Sequence, residues 1–148
     1  MESKSYTTTI EVSQLPGAVF KCINDVSKWW STDFAGESKN LYDEFVIHHP
    51  GAHYTKQKLV EIIPNKKIVW LVTESKLDWL KGDEEEWKDT RMVFDIVAGE
   101  NKTSLNFTHE GLVFGKECYE RCVQGWTMVI KERLYNFITT GKPYSDAF

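Results

Sequence analysis

Thr90-Arg91-Met92-Val93-Phe94-Asp95-Ile96-Val97 and Thr103-Ser104-Leu105-Asn106-Phe107-Thr108-His109 are the stretches on which the fold turns. In the first, Met92, Phe94 and Ile96 share one face. In the second, Leu105, Phe107 and His109 share a face, and Ser104, Asn106 and Thr108 occupy the other. That period of two belongs to a sheet with one dry and one wet side. The polar turn at Gly99-Glu100-Asn101 joins the two into a hairpin. After a short loop, a helix is predicted from about Lys116 to Thr140. Its apolar positions, Tyr119, Cys122, Val123, Trp126, Val129, Ile130, Leu134, Phe137 and Ile138, recur at spacings of three and four. Such a helix is roughly 35 Å long and needs more than one hairpin to lie across.

The rest of the chain supplies that surface. Tyr6 to Val12 reads as a first strand. Ser13-Gln14-Leu15-Pro16 starts a helix, with Pro16 suited to its first turn. Val19, Cys22 or Ile23, Val26 and Trp30 follow at helical spacing, and the helix ends between Ser27 and Trp30. Trp29 to Phe34 reads as a short irregular or helical turn, and Gly36 to Asn40 as a loop. Leu41 to His49, His53 to Ile63 and Lys67 to Glu74 are predicted strands, separated by Pro50-Gly51 and Pro64-Asn65-Lys66. Ser75 to Lys88 is a polar, acidic loop. The order implies an antiparallel meander. The expectation is one α+β domain spanning 1–148. A curved antiparallel six-stranded sheet wraps a long C-terminal helix in a helix-grip arrangement, with two short helices after the first strand.

Composition narrows the function. The 148 residues suffice for one real core. Aromatic residues make up 14%, with six Trp, so the interior is heavily ringed. The net charge of −4 lacks the basic footprint of a nucleic-acid binder. No stretch approaches the ~20 apolar residues of a membrane span. Met1-Glu2-Ser3-Lys4 is not an apolar signal region, and three cysteines, Cys22, Cys118 and Cys122, read as reduced thiols. A cytoplasmic location is expected.

The candidate site is the inner face of the hairpin and helix: Met92, Phe94, Leu105, Phe107, His109, Tyr119, Cys122, Trp126 and Ile130, with Trp70 added from the fourth strand. Ile68 to Val72 is apolar on both parities, so the face of Trp70 stays open. Apolar stripes at these spacings are ordinarily core; an apolar pocket with a few polar groups would use the same residues. His109 and Tyr119 are its polar members, each able to bond a ligand or merely to be satisfied internally. His48, His49 and His53 flank a turn. His48 and His49 point to opposite strand faces, so no metal site is expected. Trp79, Leu80 and Trp87 flank the acidic run Asp83 to Glu86 and suit a lid or a partner patch. There is no nucleophile motif, phosphate loop or paired-cysteine motif, and no cofactor is expected.

Leu15-Pro16-Gly17-Ala18-Val19-Phe20, Trp29-Trp30, Val60 to Trp70, Thr103 to Gly111, Gly125-Trp126 and Thr140-Gly141-Lys142-Pro143 together resemble the START-like or SRPBCC superfamily. Within it they look like the branch named after the activator of the heat-shock-protein-90 ATPase. The resemblance implies the helix-grip fold and a hydrophobic small-molecule ligand held between sheet and helix. It also leaves open a cyclase- or aromatase-like enzyme using the same pocket, with His109, Tyr119 and Arg91 as polar participants. A third implication is a chaperone-related module that binds a protein partner.

Overall fold

Strand alternation and one long amphipathic helix produce the architecture seen in a computed structural model, which describes residues 5–30, 34–49, 53–77, 88–113 and 119–143. The strands are β1 (Ser5–Val12), β2 (Phe34–Gly36), β3 (Glu44–His49), β4 (His53–Ile63), β5 (Lys67–Leu77), β6 (Arg91–Ala98) and β7 (Thr103–Val113). Helix α1 (Pro16–Asn24) and a 3-10 turn (Val26–Lys28) follow β1. The C-terminal helix runs as α2 (Tyr119–Trp126), a π-helical segment (Thr127–Leu134) and α3 (Tyr135–Thr140).

The sheet has seven strands in the order β1-β7-β6-β5-β4-β3-β2, all antiparallel. The expected six omitted β2. Phe34–Gly36 is only three residues long and carries no alternation to read. It pairs with Phe45 to Ile47 as the far edge, and Gly36, at φ +110°, lies where an added Cβ would come within 2.3 Å of the Glu44 carbonyl. β3 starts at Glu44 rather than Leu41, because Tyr42 turns the chain with φ 69°. β5 continues to Leu77, so Ser75 to Leu77 belong to the sheet and not to the acidic loop. Residues 78–87, including Trp79, Leu80 and Trp87, lie outside the described residues.

Helix α1 begins as the sequence suggests, with Pro16 in its first turn and Leu15 at the cap position. Val19 and Ile23 are fully buried, and the chain turns through Val26 to bury Trp29 and Trp30. Trp29 is locked by its indole N–H, which donates to the Ile23 carbonyl at 3.2 Å. Arg133 of the π segment donates to the Trp30 carbonyl at 3.1 Å. Tyr6 and Thr127 hydroxyls meet at 3.3 Å, joining β1 to the same segment. Ile130, Leu134, Phe137 and Ile138 complete the buried stripe. Each such side chain removed from water contributes about 1.5–3 kcal/mol. Gly141, in the left-handed region, ends the helix with its N–H on the Phe137 carbonyl.

Candidate functional site

The inner face of the sheet follows from parity plus two irregularities. Phe45 and Ile47 of β3, and Thr55, Gln57 and Leu59 of β4, are buried on it. On β5, Trp70 pairs with the buried Leu59 on one side and the buried Met92 on the other, which settles its face, and Ile68 and Val72 share it. The register then shifts. Lys56 faces Glu74 while Gln57 faces Val72, so Thr73 is an extra residue. That bulge turns Ser75 inward, where a regular strand would turn Glu74. Thr90 precedes β6 beside Val72, whose N–H donates to its carbonyl at 2.9 Å. Met92, Phe94, Leu105, Phe107 and His109 complete the face on β6 and β7.

The aromatic members form one continuous wall. Trp70 stacks on Trp30 at 5.8 Å with 3° between planes, and meets Phe45 edge-on at 4.9 Å. Phe94 lies 4.7 Å from Trp70 and 5.0 Å from Phe107. Trp126 closes the wall from the helix, 4.6 Å from Phe107 and 5.1 Å from Trp30. Offset and edge-on contacts of this kind contribute beyond the area they bury. The structure therefore brings together Trp70, Met92, Phe94, Leu105, Phe107, His109, Trp126 and Ile130, all buried. Tyr119 and Cys122 sit on α2, but their side chains lie outside the described residues. Arg91 is exposed, on the outer face of β6.

His109 is held from two sides. The indole N–H of Trp126 donates to Nδ1 at 3.0 Å, and Nε2 lies 2.8 Å from the Thr90 hydroxyl. Indole is only a donor, so Nδ1 must be the bare nitrogen and Nε2 carries the proton toward Thr90. Both nitrogens are thus engaged within the protein, and the ring ties the helix to the sheet. His109 lies within β7 rather than at its end: the strand continues to Val113 past an irregularity around Gly111, which has φ +99°. A Cβ at Gly111 would stand 2.6 Å from Thr90 Cγ2, so glycine also lets Thr90 approach the imidazole.

A polar cluster escaped the sequence reading. Gln57 donates through Nε2 to Thr55 Oγ1 at 2.5 Å, while its Oε1, the Ser75 Oγ and the Trp70 Nε1 are buried with no partner among the described residues. The parity of Leu59 was sufficient to turn Gln57 and Thr55 inward. Nothing in the sequence marks the bulge that does the same for Ser75.

Away from this face, a groove of about 630 Å³ opens between the start of α1 and the β4–β5 turn, lined by Leu15, Pro16, Pro64, Ile96 and Val97 among others. Cys22 is half-buried on α1, and burial, followed by the Asp25 charge, pushes its thiol pKa up. Lys102 bonds Glu11 at 2.7 Å and holds that carboxyl below its usual range. His48 is exposed and lies edge-on to Tyr54; His49 and His53 pair across the β3–β4 ladder. Among the described residues no three His, Cys, Asp or Glu side chains gather as a metal-binding group. No described helix is long and apolar enough to cross a membrane.

A wide antiparallel sheet with a long C-terminal helix across an aromatic inner face is an α+β helix-grip architecture. The family described as Activator of Hsp90 ATPase homolog 1-like protein matches residues 16–139, and the chain belongs to that family, a branch of the SRPBCC superfamily. The fold is similar to that of the Aha1 dimer from Colwellia psychrerythraea in solution, with a TM-score of 0.75 at 20% identity over 93% of this chain and 98% of that one. It is also similar to DynU16, a protein of the dynemicin biosynthetic locus, with a TM-score of 0.68 at 12% identity over 96% of this chain and 49% of that one. CalU16 from Micromonospora echinospora gives a TM-score of 0.66 at 13% identity over 94% and 78% of the two chains. No curated protein matches the chain.

Proposed function

We propose that the chain, as one domain, binds an apolar or amphipathic small molecule between the inner face of the sheet and the C-terminal helix. The observation that carries this reading is the winding of that helix. Immediately after Trp126, eight residues from Thr127 to Leu134 are π-helical. π winding is rare and concentrates at functional sites. Here it starts next to Trp126, which closes the aromatic wall, and it is tied to Trp30 through Arg133 and to β1 through Thr127. Ligand surface buried there contributes roughly 25 cal/mol per Å², before the costs of association. The engagement of both His109 nitrogens favours a binding role over acid–base catalysis.

The test is a screen of fatty acids, sterols, flavonoids and polyketide-like aromatics by thermal shift and Trp fluorescence. The expected result is a melting temperature that rises with ligand concentration. Phe107→Asp or Ile130→Asp, where folded, abolishes it. No shift with any class refutes the reading.

The groove beside α1 favours a second reading, a protein-interaction module. Leu15 and Val97 on its rim are 76% and 51% exposed, high for apolar side chains placed side by side. Under that reading Leu15→Glu weakens partner binding and leaves ligand shifts unchanged.

A further inference from the structure

We propose that Trp70, Gln57 and Ser75 recognise the polar end of the ligand and select an uncharged aromatic molecule that carries both a hydroxyl-type donor and a carbonyl-type acceptor. This rests on the small-molecule reading above. Buried polar side-chain atoms are nearly always hydrogen-bonded, so each exception calls for an explanation. Among the described residues Gln57 Oε1, Ser75 Oγ and Trp70 Nε1 are such exceptions, on residues 0%, 5% and 0% exposed. Two others, on Gln14 and Asn24, occur singly at either end of α1.

These three lie together. Gln57 faces Val72 across the ladder, two residues from Trp70 on the same side of β5. Ser75 faces Thr55, the residue to which Gln57 is bonded. The bulge at Thr73 is what brings Ser75 to this face. Trp70 cannot rotate away, because Trp30 stacks on its ring and Phe45 abuts it edge-on. The group is therefore preorganised.

Its chemistry defines the complement. Indole N–H only donates, so Trp70 asks for an acceptor oxygen. The Gln57 amide nitrogen is engaged by Thr55, so Oε1 asks for a donor O–H or N–H. The Ser75 hydroxyl serves either partner. No Asp, Glu, Lys or Arg is among the buried described residues, so an ionised ligand would enter without a countercharge at a heavy desolvation cost. The wall beside the group is aromatic, which favours rings over acyl chains.

The experiment compares four probes of one shape by isothermal titration calorimetry: diphenylmethane, benzophenone, meta-hydroxybenzophenone and meta-benzoylbenzoate. Affinity should rise from diphenylmethane to benzophenone to meta-hydroxybenzophenone, with the last about tenfold tighter than the first. Meta-benzoylbenzoate should bind more weakly than diphenylmethane. Gln57→Leu should remove the advantage of the hydroxyl, read as the ratio of meta-hydroxybenzophenone to benzophenone affinity within the same variant. Ser75→Ala, a smaller change, should reduce that advantage and serves should the first variant not fold. Equal binding of the three neutral probes, tightest binding of the carboxylate, or an undiminished hydroxyl advantage in the folded variants overturns the proposal and leaves the small-molecule reading standing. Failure of all four probes to bind also overturns the proposal, and the wider screen of fatty acids, sterols, flavonoids and polyketide-like aromatics then decides the small-molecule reading separately.

Discussion

The bond between Trp126 and His109 can be isolated by a double-mutant cycle. Trp126 is 2% exposed and packs on Phe107 and Trp30, so Trp126→Ala should destabilise the fold by about 3–5 kcal/mol, as large core aromatics do. Trp126→Phe is the sharper probe. It retains a ring but removes the N–H that satisfies His109 Nδ1 at 3.0 Å. Leaving that buried acceptor unpaired adds about 1–3 kcal/mol to the loss of ring volume. In a His109→Leu background there is no acceptor to orphan, and Trp126→Phe should cost only the packing. The coupling energy between the two sites should thus be about 1–2 kcal/mol. Urea unfolding followed by far-ultraviolet circular dichroism gives all four corners of the cycle. Nitrogen NMR of the imidazole should show the neutral form protonated at Nε2. A coupling below about 0.5 kcal/mol, or the opposite tautomer, refutes the account of His109 as the link between helix and sheet.

Further expectations concern four other places. Gly111→Ala should destabilise by about 2–4 kcal/mol in urea, because it combines a positive φ with a Cβ that collides with Thr90; a loss below about 0.5 kcal/mol would show the strand end relaxing freely. The raised thiol pKa of Cys22 means its contribution to stability is present below the unfolded-state value and is lost as pH rises through the folded one, so peptide-resolved alkylation should be slower in the folded chain than in urea across that range. Equal rates would refute it. Glu11→Gln should leave the urea midpoint unchanged, since the Glu11–Lys102 pair is exposed on both sides; a clear fall would show a stronger surface pair. Purified protein should carry no stoichiometric zinc by elemental analysis, and one zinc per chain lost on His48→Ala would reverse this.

What the sequence disclosed and what it hid divide along physical lines. The hairpin faces and the helix stripe were legible because each element has one dry side, and burial then imposes its period. The run from Ile68 to Val72 was not, because Val69 and Val93 pair on the opposite side of the sheet and are nearly covered too. Ser75 was hidden by an inserted residue that reverses parity, and parity arguments carry no memory of insertions. Trp29 falls in a turn, which gives no face, and helical spacing gives Trp30 only a place on the first helix; the packed structure shows both as central as Trp70. The π segment preserves enough of the apolar spacing to pass for α-helix. The strand runs four residues past His109 because a bulge around Gly111, invisible to alternation, lets Val113 pair with Ser5.

The pairing of the first strand with the last has a kinetic consequence. Thr7 bonds the Phe107 carbonyl and meets Thr108, across sequence separations of 100 and 101 residues. No amount of local order in β3 to β6 can complete the sheet until that ring of chain closes, and closing it carries an entropic cost that grows with the logarithm of its length. Folding should accordingly be slow for a chain of this size. During synthesis β1 emerges early and must wait, unpaired, for β7 to leave the ribosome. Through that interval its backbone is open to foreign strands, so aggregation in the cell would be governed by the rate of translation as much as by final stability.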